Sequence, residues 1–178
     1  MTDTQWPRFI VFQQDREGEA HRYDGSVHAP DSEIALLNAR DVFTRRPACI
    51  SLWVVRADQI LARTAEEIAS DRRMDDNDRG AGAKSEPYTV FVKRDHKGVH
   101  SYIGEVEAVS PASAMRLAVE KFSDDRILVR WVCPSNAIMR TRTEDIQMLF
   151  HIAEPRFYRD QGEFHTIAAL RKIKSDGM

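Results

Sequence analysis

The sequence predicts an α+β protein of two tandem ββαβ repeats, each a small antiparallel sheet with one covering helix, packed together as an intramolecular pseudo-dimer. Three observations predict it. The stretch HRYDGSVHA, His21 to Ala29, returns as HSYIGEVEA, His100 to Ala108, with His, Tyr, Gly, Val and Ala at the same spacing. A β-rich segment and a polar, Gly-containing turn precede both stretches. A capped amphipathic segment follows both, and the two caps fall on each other in the internal alignment. Self-similarity is sought first because it decides the architecture.

The elements follow in order. Aligning the half that begins at Trp6 with the half that begins at Glu86 brings Phe9, Val11 and Phe12 onto Tyr88, Val90 and Phe91. FIVF and YTVFV are rich in β-branched and aromatic residues and read as strands. DREGEAH and RDHKGVH read as hairpin turns. RYDGSVHA and SYIGEVEA are the return strands, and the Gly inside each marks a bulge or a close backbone approach. Asp31 then caps a helix running to about Phe43. Ser110 caps the second helix, with Pro111 in the first turn, where its missing N–H costs nothing. Ala35, Leu36, Ala39, Val42 and Phe43 form one apolar stripe, and Ala114, Met115, Ala118 and Phe122 form the other. ISLWVV and ILVRWVC are the third strands, matched at Trp53 and Trp131. A short turn follows each, near Ala57–Leu61 and Ser135–Met139.

The resulting boundaries are a first repeat over 1–64, a charged linker over 65–85, a second repeat over 86–143 and a C-terminal arm over 144–178. The linker is highly charged and ends in Gly80-Ala81-Gly82, as a solvated connection does. A lone unit of about 60–70 residues rarely stabilises itself by more than about 3–5 kcal/mol. Its uncovered sheet face and edge strand need a partner, which the second copy supplies.

Composition narrows the function. The 26 Lys and Arg nearly cancel the 28 Asp and Glu, and a net charge of −2 offers no basic face for nucleic acid or an anionic membrane. No apolar run approaches the roughly 20 residues of a membrane span. The opening MTDTQWPRF lacks the pattern of a signal peptide, so the chain reads as cytoplasmic. Cys49 and Cys133 read as two buried thiols in a reducing compartment.

WPRFIVFQ, HRYDGSVHAPDSEIALLNARDVFTRR and SLWVVRADQI resemble the phenylacetic acid degradation B (PaaB) family, the small B subunit of bacterial phenylacetyl-CoA oxygenase. The matching motifs are Trp6-Pro7, His21 to Ala29, Ala35 to Asp41, Thr44 to Arg46 and Leu52 to Val55, and the segment Phe150 to Arg159 is similar to the family's tail. The usual pattern is a single short copy, which this chain doubles. The copies differ: Arg45 and Arg46 become Asp124 and Asp125, Ser26 and His28 become Glu105 and Glu107, and Leu52 becomes Arg130. The resemblance implies an accessory role. In that multicomponent oxygenase another subunit holds the di-iron site, a further one scaffolds it, and a reductase supplies electrons. The B-type component has no known cofactor and is usually taken to bridge the catalytic heterodimers.

The residues themselves point the same way. A di-iron carboxylate site needs Glu-x-x-His pairs, which place both ligands on one helical face, and no His here has Glu three residues before it. HExxH, CxxC, GxSxG and GxGxxG motifs are missing as well. The chain is therefore expected to carry no catalytic residue, metal or cofactor of its own. His21 and His100 are the sharpest matched polar pair, either backbone-bonded at turn ends or meeting a partner or an acyl-CoA phosphate. Tyr23 and Tyr102 read as half-buried strand residues. Trp53 and Trp131 lie near the seam or within each half's own core. Arg45 and Arg46 follow a helix C-terminus, where positive charge is favoured, and with Phe157, Tyr158 and Arg159 they are the expected partner contacts. The expected partners are the catalytic and scaffold subunits of a di-iron aromatic acyl-CoA oxygenase, with further self-association left open. The alternative is a module that senses a small metabolite or acyl-CoA between the repeats. An independent hydrolase or isomerase using His21 or His100 is the least favoured reading.

Overall fold

The computed structural model describes residues 5–44, 49–70 and 84–150. In chain order the elements are β1 (Arg8–Gln14), β2 (Arg22–His28), α1 (Ser32–Phe43), β3 (Ser51–Arg56), a 3₁₀ turn (Ala57–Gln59), β4 (Leu61–Thr64) and α2 (Ala65–Ser70). Then come β5 (Glu86–Lys93), β6 (Ser101–Ala108), α3 (Pro111–Lys121), β7 (Val129–Pro134), a 3₁₀ turn (Ser135–Ala137), β8 (Met139–Arg140), a 3₁₀ turn (Thr143–Asp145) and α4 (Ile146–Phe150). The strands form one eight-stranded antiparallel sheet in the order β4-β7-β5-β6-β2-β1-β3-β8. No helix among the described residues is long and apolar enough to cross a membrane.

Local chemistry accounts for the helices and hairpins. The Asp31 carboxylate accepts from the Ile34 amide at the start of α1. Ser110 and Ser113 form a reciprocal capping box at α3, with Pro111 in the first turn. In both hairpins the register slips by one residue, between Val11 and Phe12 and between Val90 and Phe91. Each slip falls opposite a glycine. A Cβ on Gly25 would stand 2.6 Å from the Phe43 ring, and one on Gly104 would stand 2.7 Å from the Phe122 ring. Gly104 also holds φ at +148°, outside the range that L side chains favour. The glycines thus let each covering helix seat its last aromatic residue against the bulged strand.

Three apolar layers result. Phe9, Val11, Val27, Leu52 and Val54 pack under Ala35 and Ala39 of α1. Tyr88, Val90, Val106 and Val132 pack under Ala114, Met115 and Ala118 of α3. Between them, alternate residues of the same strands, Ile10, Phe12, Val55, Phe91 and Cys133, face each other from the two halves of the sheet. The halves touch edge to edge only briefly, where the Tyr23 amide donates to the His100 carbonyl and the Tyr102 amide to the His21 carbonyl, each at 2.8 Å. From there the sheet folds over, so its two halves stack face to face with α1 and α3 outside.

The last strand of each half crosses over. β4 pairs with β7 along Leu61–Thr64, and β8 pairs with β3 at Trp53 and Val54. Sequence reading ended each half in a turn and placed no strand there. A helix, α2, occupies the residues where the charged linker was expected to begin, and its Ile68 packs on the α3 cluster. Residues 71–83 and 151–178, which include most of the expected linker and arm, lie outside the described residues. Val42, assigned to the buried stripe of α1, is 56% exposed.

Candidate functional site

The densest chemistry lies on the seam between the two half-sheets. Phe12 and Phe91 stack at its centre, 3.8 Å apart between ring centroids and 10° from parallel. On one side His21 stacks on Trp53 at 3.7 Å, and on the other His100 stacks on Trp131 at 3.6 Å. Tyr23 meets Trp131 edge-on at 5.7 Å, and Tyr102 meets Trp53 edge-on at 5.3 Å. Each Trp is therefore clamped by a tyrosine from the opposite half. Such pairs add roughly 0.5–1.5 kcal/mol each beyond the area they bury. The six matched residues His21, Tyr23, Trp53, His100, Tyr102 and Trp131 all come together here.

Burial holds both imidazoles neutral. The His21 pKa is pushed down to about 4 by desolvation, with the nearby Arg140 charge adding to it. The His100 pKa is likewise lowered to about 4 by desolvation and then by Lys93. Their hydrogen bonding differs. His21 Nε2 lies 2.9 Å from Ser51 Oγ, whereas His100 Nε2 is buried with no partner among the described residues. Ser51 pairs with Gln14 at the start of β3. The same place in β7 is filled by Val129, paired with Lys93, and its side chain offers no acceptor.

A polar cluster breaks the symmetry of the seam. Glu105 Oε1 accepts from Ser135 Oγ at 3.1 Å, from Arg140 Nη2 at 3.1 Å and from Thr89 Oγ1 at 3.3 Å. The Arg140 guanidinium lies 4.7 Å from the Trp53 ring centroid, a cation–π distance. Burial raises the Tyr102 pKa, and the Glu105 charge adds to the rise. Sequence reading marked the change from Ser26 to Glu105 but did not find Thr89, Ser135 or Arg140. The signal was faint, since Arg140 reaches Glu105 only because β8 crosses between halves.

Elsewhere the chemistry is quiet. Cys49 and Cys133 are both free and buried, and desolvation pushes each thiol up to about 12. Among the described residues no group of three or more His, Cys, Asp or Glu side chains is placed to hold a metal. Arg130 stands where Leu52 stands in the other half and is 6% exposed. Desolvation lowers its pKa, its Nε has no partner among the described residues, and Nη2 reaches the Phe122 carbonyl at 3.5 Å. The expected partner contacts Arg45, Arg46, Phe157, Tyr158 and Arg159 lie outside the described residues.

Comparison with known proteins agrees with the motifs. The family described as Phenylacetic acid degradation B matches residues 5–78. The B subunit of the 1,2-phenylacetyl-CoA epoxidase of Escherichia coli (strain K12) is 46% identical over 67 residues, which span 38% of this chain and 70% of that protein. No solved structure matches. The matched residues contain β1 to α2 with the His21–Ala29 motif and the Trp53 strand, and on that identity the chain belongs to the phenylacetic acid degradation B family.

Proposed function

We propose that the chain is a non-catalytic, structural subunit of a multicomponent di-iron oxygenase acting on an aromatic acyl-CoA of the phenylacetyl-CoA type. The single observation that carries this reading is the 46% identity to the B component of an epoxidase. The seam supports it. Its histidines are buried and held neutral with pKa values near 4, and the thiols of Cys49 and Cys133 are held protonated by burial, so neither type is poised as base or nucleophile. The iron and the oxygen chemistry would belong to another subunit.

In the same reading the chain is a tandem duplication in the cytoplasm. The order of elements and the pairing pattern of β1 to β4 recur in β5 to β8, which supports one chain standing in for a pair of short subunits. Arg45, Arg46, Phe157, Tyr158 and Arg159 are its contacts to the catalytic and scaffold subunits. The competing reading, a metabolite sensor that binds between the halves, has the Phe12–Phe91 stack against it, because those rings fill the centre of the space a ligand would need.

Size-exclusion chromatography of the full chain mixed with the catalytic and scaffold subunits of its own oxygenase tests the proposal. Co-elution at micromolar concentration, reduced by Arg45→Glu with Arg46→Glu, is the expected result. Independent elution would overturn it. Thermal shift with acyl-CoA esters on the isolated chain separates the sensor, which alone predicts a large shift.

A further inference from the structure

The two covering helices present unlike outer faces. Counted from their N-caps, Ile34, Leu37 and Val42 of α1 stand where Ser113, Arg116 and Lys121 stand on α3. The three α1 side chains are 38%, 40% and 56% exposed. Trp6, 59% exposed, stands by the end of β2 that leads into α1. Its carbonyl is bonded by His28 Nδ1 at 2.8 Å, and the His28 carbonyl accepts from Asn38 on α1 at 3.3 Å. Asn38 and Asp41 share that side of α1, so its outer face is a mixed one whose three exposed apolar side chains, replaced by polar or charged ones on α3, suit a covering segment.

The chain carries one segment to match this one-sided patch. After β8 it enters α4 and ends its described course at Phe150, which packs beside Leu36 and Phe43 against the α1 cluster. On the other half, α2 packs on the α3 cluster in the same way, but that chain continues into β5. Residues 151–178 therefore follow on from the α1 side, whereas the segment that follows α2 on the α3 side, residues 71–83, holds Met74 as its one large apolar residue. They include Phe157, Phe164, Ile167, Leu170 and Ile173. At about 3.3 Å per residue they reach far beyond the roughly 18 Å length of α1.

We infer that the α1 face of Ile34, Leu37 and Val42 is the intramolecular docking site of the chain's own C-terminal segment, residues 151–178. The docking needs no oxygenase component, so it stands or falls apart from the function proposed above. Helix α1 ends at its C-cap Thr44, and Arg45 and Arg46 follow directly. An arm held on α1 would therefore gather the proposed partner contacts on one side of the molecule.

A photo-reactive benzoylphenylalanine at Leu37 of the full chain tests the docking. Irradiation is expected to give a cross-link within one chain to a peptide from 151–178, while the same probe at Arg116 gives none. A second variant guards against a misplaced probe. Ile34→Ser, Leu37→Arg and Val42→Lys, all exposed positions given their α3 counterparts, are expected to speed tryptic cleavage after Arg156, Arg159 and Arg171 by roughly 10-fold or more, because cleavage tracks the undocked population. A Leu37 cross-link to a second copy, no cross-link to 151–178, or unchanged cleavage in the triple variant would each overturn the inference.

Discussion

Phe12 and Phe91 lie face to face across the seam, 3.8 Å between centroids, one from each half of the chain. Both are fully buried. The stack ties the two halves into one cooperative unit, because each ring loses its face-to-face partner and becomes exposed to water on that side if the halves part. Phe91→Ala is expected to cost about 3–5 kcal/mol, the usual range for emptying a buried aromatic site. Urea unfolding followed by Trp fluorescence reads it, and a loss below about 1 kcal/mol would show that the seam is not a core.

The two histidines make unequal use of equivalent places. Ser51→Val removes the partner of His21 and is expected to cost about 1–2 kcal/mol. Val129→Ser offers His100 the hydroxyl it lacks and is expected to raise stability by up to about 1 kcal/mol. Opposite signs for the two changes in thermal unfolding are the test.

Stability should fall in mildly acidic solution. Each imidazole has a folded pKa near 4 against an ordinary value of 6.5. The folded form therefore stays neutral while the unfolded form takes up a proton as pH drops below about 6.5. Stability from these groups is complete above that pH and is lost progressively down to about 4. The limiting slope is about 2.7 kcal/mol per pH unit for the two together. His100→Phe should remove about half of the slope between pH 6 and 5, and an unaltered slope would assign the pH dependence elsewhere.

Gly104→Ala should be more damaging than Gly25→Ala. Both meet an aromatic ring, but only Gly104 combines that contact with a φ of +148°. We expect about 1–3 kcal/mol of additional loss at Gly104, as strained backbone conformations cost. Equal losses at the two sites would mean that the ring contact alone decides.

Cutting the chain between its halves should not separate them. β4 completes the edge of β7, and β8 completes the edge of β3. With a protease site placed within residues 71–83, the two fragments are expected to co-elute in native buffer and to part only in denaturant. Separation in native buffer would mean that the exchanged strands and the seam hold little.

Much of the fold was legible because its signals are local. Asp31 and Ser110 announce the helices, and Gly25 and Gly104 announce the bulges, through chemistry confined to a few neighbouring residues. β4 and β8 were not legible. Leu61–Thr64 and Met139–Arg140 have no alternating apolar pattern long enough to read, and they become strands because a distant edge is open to receive them. The site divides the same way. His21, Trp53, His100 and Trp131 stood out by recurrence, but the Glu105–Arg140 contact depends on the crossing of β8, and the differing hydrogen bonding of His100 depends on Val129 standing where Ser51 stands in the other half. The apolar residues on the outer face of α1 were present in the sequence as Ile34 and Leu37 and were obscured when Val42 was assigned to the core stripe.

The crossing of β8 has a consequence for biosynthesis. The edge of β3 at Trp53 stays open until Arg140 has been made, and at about 5–20 residues per second that interval lasts several seconds. A nascent amino-terminal lobe thus waits on the ribosome with a bare strand, the kind of edge that recruits neighbouring polypeptides. Translation speed between these two points, or a chaperone that shields the edge, would then govern the yield of correctly closed molecules.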